Sequence, residues 1–399
     1  MWLGSFAGNV IKEEKMLLKN AKIYTMEDRV IENGFVRVED GKISLVDDME
    51  NLQEKLEDTI DLKGKSVYPG FIDAHTHLGI FENGLTFEGD DGNEENDPLT
   101  PQLRAIDAIN PMDVCFKEAY KEGITTVLTG PGSANPIGGE ILALKTFGKR
   151  VDDMIIKSPI AIKFALGENP KSVYRDKEQM PMTRMATVAL IREQLYKAKR
   201  YYLNKQRAEK KHDVSLLPEF DIKCEALIPL FEKKIQAHFH AHRADDIFTA
   251  IRISKEFDLD YVLVHATEAY LIKDELKKES TKILSGPILC DRSKPELINL
   301  DVSSLAQLAR EDILFSIITD HPETPIQYLN LCASVAIKGG LKKEEALRAI
   351  TINPAKICNI DDRVGSIKEG KDADLVVYSK DVFAPFSSPD MVFVDGILV

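Results

Sequence analysis

Cysteine is scarce in this chain of 399 residues, and the five present, at positions 115, 224, 290, 332 and 358, are far apart and odd in number. No CxxC pair occurs, which argues against a disulfide framework or a cysteine-rich zinc site and for a reducing, cytoplasmic setting. Long apolar runs are missing as well, so no segment of about 18 residues is offered to a bilayer. The opening MWLGSFAGNVIKEEK lacks a basic region followed by a long apolar one and reads as a poor signal peptide. Positive charge is in deficit, with 52 Lys and Arg against 65 Asp and Glu and a net charge of −13. Such a chain is a poor general binder of polyanions, so neither nucleic acid nor an anionic membrane is an expected partner. What is there is ordinary globular composition, 44% hydrophobic and 29% charged, which rules out a disordered or collagen-like chain. A single core seldom grows beyond roughly 250–300 residues, so one large domain and a smaller one are expected.

Met16 opens a clean β pattern, and residues 1–15 are left out of the fold reading as a vector-derived or upstream-start extension. Residues 16–66 read as short strands with tight turns. Val36, Val38, Ile43 and Leu45 alternate with polar neighbours around Asp40-Gly41, the mark of a hairpin. The tail repeats this texture in GSIKEGKDADLVVYS and MVFVDGILV. The economical reading is one composite β-sandwich domain built from 16–66 and 361–399, beside a central domain over 67–360.

That middle alternates apolar strands with helical stretches. Eight strands are predicted, at 71–77, 125–130, 140–146, 161–167, 234–242, 261–267, 281–287 and 314–321. Eight strand–helix units over this length predict an α/β fold, a (β/α)8 TIM barrel. Residues 184–211 look like an inserted helix whose basic second half reads as a solvated face. Residues 82–97, with seven acids and three glycines, read as a surface loop or a lid.

The candidate chemistry sits at predicted strand ends, where a barrel of this kind places its active site. His75 and His77 end the first strand, and residues i and i+2 point to the same side. His240 ends the fifth strand with His242 two residues on, His265 ends the sixth, and Asp320 follows the eighth, ahead of His321 and Pro322. Four imidazoles and a carboxylate converging from separate strands suit Zn²⁺ or a similar divalent ion, with Mn²⁺ or Fe²⁺ as alternatives. The bland alternative is a set of hydrogen-bonded core histidines.

PGFIDAHTHL resembles the first-strand signature of the amidohydrolase superfamily. FHAHRADD, VHATE, TDHP and the tail phrase INPAKICNIDDRVGSIKEGKDADLVVY are similar to the rest of its pattern, over essentially 16–399. The branch most resembled is that of the imidazolonepropionase-related, metal-dependent amidohydrolases. The resemblance implies one or two divalent ions. His75, His77 and Asp320 would hold the more buried ion, and His240 and His265 a second. Lys163 stands where two-metal relatives carry a carboxylated, bridging lysine. A lysine adds carbon dioxide only as the free amine, so burial or nearby cations must depress its pKa; otherwise Lys163 is a lysine snorkelling to the barrel rim. Glu140, at the third strand, is a rival ligand or a substrate-binding residue.

The implied reaction is hydrolysis of a C–N bond in an amide or cyclic amide, not an ordinary peptide bond. Metal-bound hydroxide attacks, and Asp320 is the general base. His242 would stabilise the oxyanion or bind a substrate carboxylate, while His321 reads as structural. Arg104 and Arg243 are candidate carboxylate clamps, or surface ion pairs. A dipeptidase or carboxypeptidase of the same superfamily is a close variant. A deaminase is disfavoured because Arg243 stands where a glutamate three residues after His240 is expected. A non-catalytic scaffold would show gaps in the ligand set, and this chain has none. The expected partner is a small molecule, with homo-oligomerisation left open.

Overall fold

A computed structural model describes residues 15–53 and 58–399; apart from Lys15, the expected N-terminal extension lies outside the described residues. Two eight-stranded sheets carry the architecture. The first joins β1 (Lys15–Tyr24), β2 (Val30–Glu39), β3 (Lys42–Asp48), β4 (Thr59–Asp61) and β5 (Ser66–Pro69) to three strands from the tail, β14 (Leu375–Tyr378), β15 (Met391–Val394) and β16 (Ile397–Leu398). The β2–β3 hairpin turns at Asp40 and Gly41, both at positive φ, which matches the right-handed twist of paired strands.

A sandwich was expected here; the strands instead form one hydrogen-bonded path, β16-β15-β14-β5-β1-β2-β3, with β4 beside β1. The reason lies in β1. Its first half pairs with β4, its second half with β5, and its register on β2 shifts between Lys19 and Ala21. A strand that changes partner bends its sheet, and the bent sheet closes over its own core of Leu18, Ile23, Val36, Val67, Leu375 and Phe393.

The second sheet is a nearly closed barrel of β6 (Phe71–Thr76), β7 (Ile124–Thr129), β8 (Ile137–Lys145), β9 (Ile155–Ala165), β10 (Gln236–Ala241), β11 (Tyr261–His265), β12 (Lys282–Ser285) and β13 (Leu314–Ile317), in chain order. All eight predicted strands exist, but one runs the wrong way for a parallel barrel. β8 is antiparallel to both β7 and β9. A parallel return needs a crossover of a dozen or more residues, and the connections on either side of β8, residues 130–136 and 146–154, are too short for one. The N-terminal end of β8 therefore joins the C-terminal ends of its neighbours at one mouth. No ladder joins β13 to β6. Their seam is held by the buried Asp73, which accepts from the Thr319 hydroxyl at 2.5 Å and the Thr319 backbone N–H at 3.1 Å, and by the bonds Ile72 N to Ile350 O and His77 N to His321 O, both 2.8 Å.

Alternation along the strands sorts the side chains. Ile72, Leu128, Ile141, Ala161, Val264 and Leu284 fill the barrel interior, and residues 352–364 seal its far end, where Gln236 Nε2 donates to Ile357 O at 3.0 Å. On the facing side Phe164, Phe239, Leu263 and Ile317 pack against the surrounding helices. The expected inserted helix is present at Arg184–Lys211, capped by the Thr183 hydroxyl, and its basic side chains pair with Glu256, Asp221 and Glu225. Among the described residues no helix is long and apolar enough to cross a membrane.

Candidate metal-binding active site

One barrel mouth gathers the predicted histidines. His75 and His77 come from the end of β6, Lys163 from β9, His240 and His242 from β10, His265 from β11, and Asp320 from just beyond β13. All but Asp320 are buried. Two sets of potential ligand atoms lie within 4.8 Å of one another, His75–His265–Asp320 and His240–His242–His265. His75 Nε2 and His77 Nε2 stand 3.3 and 3.5 Å from Asp320 Oδ1. Lys163 Nζ is 3.1 Å from His75 Nε2.

The rings are held from behind. His77 Nδ1 bonds Gly130 O at 2.7 Å, His265 Nδ1 bonds Gly286 O at 2.6 Å, and His242 Nδ1 bonds Thr267 Oγ1 at 2.8 Å. Each contact fixes ring orientation and leaves Nε2 turned inward, as metal ligation requires. His265, Ala266 and Asp320 adopt positive φ, a conformation that costs free energy for residues with a Cβ and concentrates at functional sites.

The electrostatics favour ligands over cations. Burial holds His75, His240 and His242 well below the usual imidazole range and His265 down to about 4, so the rings are neutral at pH 7. Neutral imidazole and ionised carboxylate are the forms that bind a metal. Burial opposes the charge on Asp320, yet His265, His75 and His77 around it hold its carboxyl well below the carboxylate range. Burial also pushes the Lys163 ammonium down to about 8, against the pull of Asp320. The buried His242 Nε2 and His240 Nδ1 have no hydrogen-bond partner, a costly state for buried polar atoms that leaves the inward Nε2 of His242 open to a ligand. The residues present thus fit a divalent ion.

The mouth opens into a cleft of about 450 Å³ lined by His77, Lys163, His240, His242 and Asp320. Asn93 and Glu95, from the acidic loop, form part of its wall.

Three expected substrate contacts do not reach the cleft. Arg104 makes a two-point ion pair with Asp107, and Arg243 pairs with Asp245 in the same way; both arginines are exposed and spend their planar donors locally. Glu140 bridges by its backbone to Arg104 and feels the Arg104–Asp107 pair. A register shift between Ile137 and Glu140 leaves Ile141 and Ala143 facing the barrel interior and turns Glu140 away from it. His321 is buried, and its Nδ1 accepts from Ile326 N–H at 3.2 Å.

Other residues escaped the sequence reading. Glu296, on the loop after β12, is 1% exposed. Its Oε1 lies 3.6 Å from His242 Nε2 and 3.9 Å from His240 Nε2. Its Oε2 accepts from Glu168 N–H at 3.1 Å, at the start of helix 168–176. Gly167 makes that approach workable: it has φ +80°, and a Cβ there would stand 2.8 Å from Glu296 Oε2. Lys294 Nζ pairs with Glu296 Oε1 at 2.9 Å and donates to Asn169 Oδ1 at 3.2 Å. Asn169 Nδ2 lies 3.4 Å from His240 Nε2. The signal lay in RSKPEL, where Lys294 and Glu296 carry opposite charges in a loop with no period or spacing to mark them.

The Amidohydrolase family model matches residues 66–399, and the chain belongs to the amidohydrolase family. An amidohydrolase from Thermotoga maritima MSB8, of known structure, is 41% identical with a TM-score of 0.92, over 96% of this chain and 99% of that one. Amidohydrolase tasK of Hapsidospora irregularis is 29% identical over 387 residues, 91% of this chain, which spans only 39% of the length of tasK. An imidazolonepropionase of a Geobacillus species is 24% identical over 395 residues, covering 88% of this chain and 85% of that protein. The superfamily read from PGFIDAHTHL is thus the one found.

Proposed function

We propose that the protein is a metal-dependent hydrolase that cleaves the C–N bond of a small amide or cyclic amide. The observation that supports this best is the convergence of His75, His77, His240, His265, Lys163 and Asp320 at one barrel mouth, at the head of the cleft.

His75, His77 and Asp320 would hold one divalent ion and His240 with His265 a second, zinc being the ion that suits the donor set. Ions held there would acidify a water and polarise the scissile carbonyl. Lys163, fully buried and with its nearest polar neighbour an imidazole, is proposed as the bridging residue in its carboxylated form. Its free amine adds to carbon dioxide, a proton is lost, and the resulting carbamate offers two oxygens. Asp320 takes the proton of the attacking water and returns it to the leaving nitrogen. His242, fixed by Thr267, steadies charge that develops on the carbonyl oxygen.

The test is metal analysis of the purified protein together with a hydrolysis screen of the metal-loaded protein. The panel is N-acyl amino acids, dipeptides and cyclic amides. Stoichiometric divalent metal and turnover of at least one class are expected. A protein that retains no metal after loading and cleaves none of them overturns the reading.

A further inference from the structure

The expected arginine clamps stay outside the cleft, which raises the question of what cation a substrate meets. Among the described residues lining the cleft, the lysines and arginines are Lys163 and Lys294. Lys163 is 1% exposed and sits against His75. Lys294 keeps 28% of its side chain accessible.

Its ammonium is held in place by an ion pair with Glu296 Oε1 at 2.9 Å and a hydrogen bond to Asn169 Oδ1 at 3.2 Å. Both are themselves anchored, Glu296 by the Glu168 N–H and Asn169 by its amide donating to Ser133 Oγ at 2.7 Å. An ammonium has three donors, and the bond to Asn169 uses only one of them. A lysine fixed in this way has already lost the side-chain freedom that binding would otherwise cost. Lys294 also stands one side-chain amide away from His240, close to where the scissile carbon would lie. Elsewhere the wall offers an anion no cation: Glu323 and Glu95 line it, and Lys177 is taken up by Glu95 at 2.7 Å.

We infer that Lys294 is the anchor for an anionic group of the substrate, so that the amide cleaved carries a carboxylate close to its scissile bond. This rests on the hydrolase reading and names its substrate class. The competing account is that Lys294 only neutralises the buried Glu296, since a buried carboxylate left alone is expensive. The double variant Lys294→Met/Glu296→Gln separates the two, because it removes both charges together.

The experiment compares N-acyl amino acids with their carboxamides on the metal-loaded protein, with metal content measured for each variant. A charge-assisted hydrogen bond supports a preference of about tenfold or more in kcat/KM for the carboxylates. In the double variant that preference should collapse to about twofold or less, and Lys294→Arg should retain most of it. A double variant that keeps its metal and still prefers carboxylates as strongly as the wild type overturns the anchor. If the wild type cleaves neither series, the hydrolase reading stands or falls separately, on metal retention and the dipeptides and cyclic amides of the wider panel. The anchor is then decided by calorimetric titration with glutarate and glutaramide: wild-type preference for glutarate that disappears in the double variant supports it, and equal preference in both proteins overturns it.

Discussion

Two buried lysines on adjacent barrel strands have met opposite fates. Lys145, at the C-terminal end of β8, is 3% exposed and touches Asp374 at 2.6 Å and Asp372 and Asp395 at 3.0 Å. Burial works against its charge, but Asp374, Asp395 and Asp372 together raise its pKa above the ordinary lysine value. Lys163, toward the other mouth on β9, has an imidazole for its nearest polar neighbour, and burial lowers it to about 8. The first lysine is a permanent cation that ties the tail strands to the barrel. The second is poised to lose its proton. Burial is common to both; the neighbours decide whether a buried lysine holds its proton or gives it up more readily.

Exchanging each lysine for a neutral side chain of similar length sharpens this contrast. Lys163→Met should lose one equivalent of metal and fall by at least about a hundredfold in kcat, the scale seen when an oriented catalytic group is removed. Metal analysis and steady-state rates on one preparation check this, and Lys163→Ala should recover part of its rate with short carboxylic acids. Unchanged metal content would break the assignment.

Lys145→Met should leave catalytic groups in place but strand a cluster of carboxylates. Loss of one partner from a buried ion pair costs about 3–5 kcal/mol, read by urea denaturation, whereas Lys163→Met should cost little stability in protein stripped of metal. Equal destabilisation by the two variants would erase the comparison.

The pH dependence gives a third measure. The folded pKa of Lys163, about 8, is below that of an unfolded lysine. Between about pH 8 and about pH 10.4 the unfolded chain still binds the proton that the folded one has released. Stability of metal-free wild type relative to metal-free Lys163→Met should therefore rise across that window, by about 3 kcal/mol in all, and be flat below it. A flat difference throughout would show that Lys163 keeps its proton. The smallest effects belong outside the cleft: Arg104→Ala and Arg243→Ala should each change stability by about 0.5 kcal/mol or less and leave kcat/KM essentially unaltered.

The strand count was legible because apolar runs bounded by turn residues survive single-residue error. So were the histidines, since HxH and HAH fix two side chains on one face by alternation alone. The reversal of β8 was present in the sequence too, in the short stretch between TTVLTG and EILALKT that leaves no room for a helix; the expectation of eight uniform units concealed it. The reversal brings the start of β8, and Glu140 with it, toward the mouth, but the register shift before Glu140, which turns its side chain outward, left no trace in the residue pattern. Lys294 and Glu296 were out of reach for a different reason. Their placement depends on how an irregular loop folds back over helix 168–176, and no periodicity encodes that.

The unlatched seam between β6 and β13 gives the barrel a property that a fully laddered ring does not have. With no rungs there, the two edges meet through the Asp73–Thr319 contact, the two backbone bonds and the approach of Asp320 to His75 and His77. His75 and His77 ride on one edge and Asp320 on the other. A change in the barrel's girth at this seam would alter the gap between Asp320 and the two histidines it faces, as a calliper does.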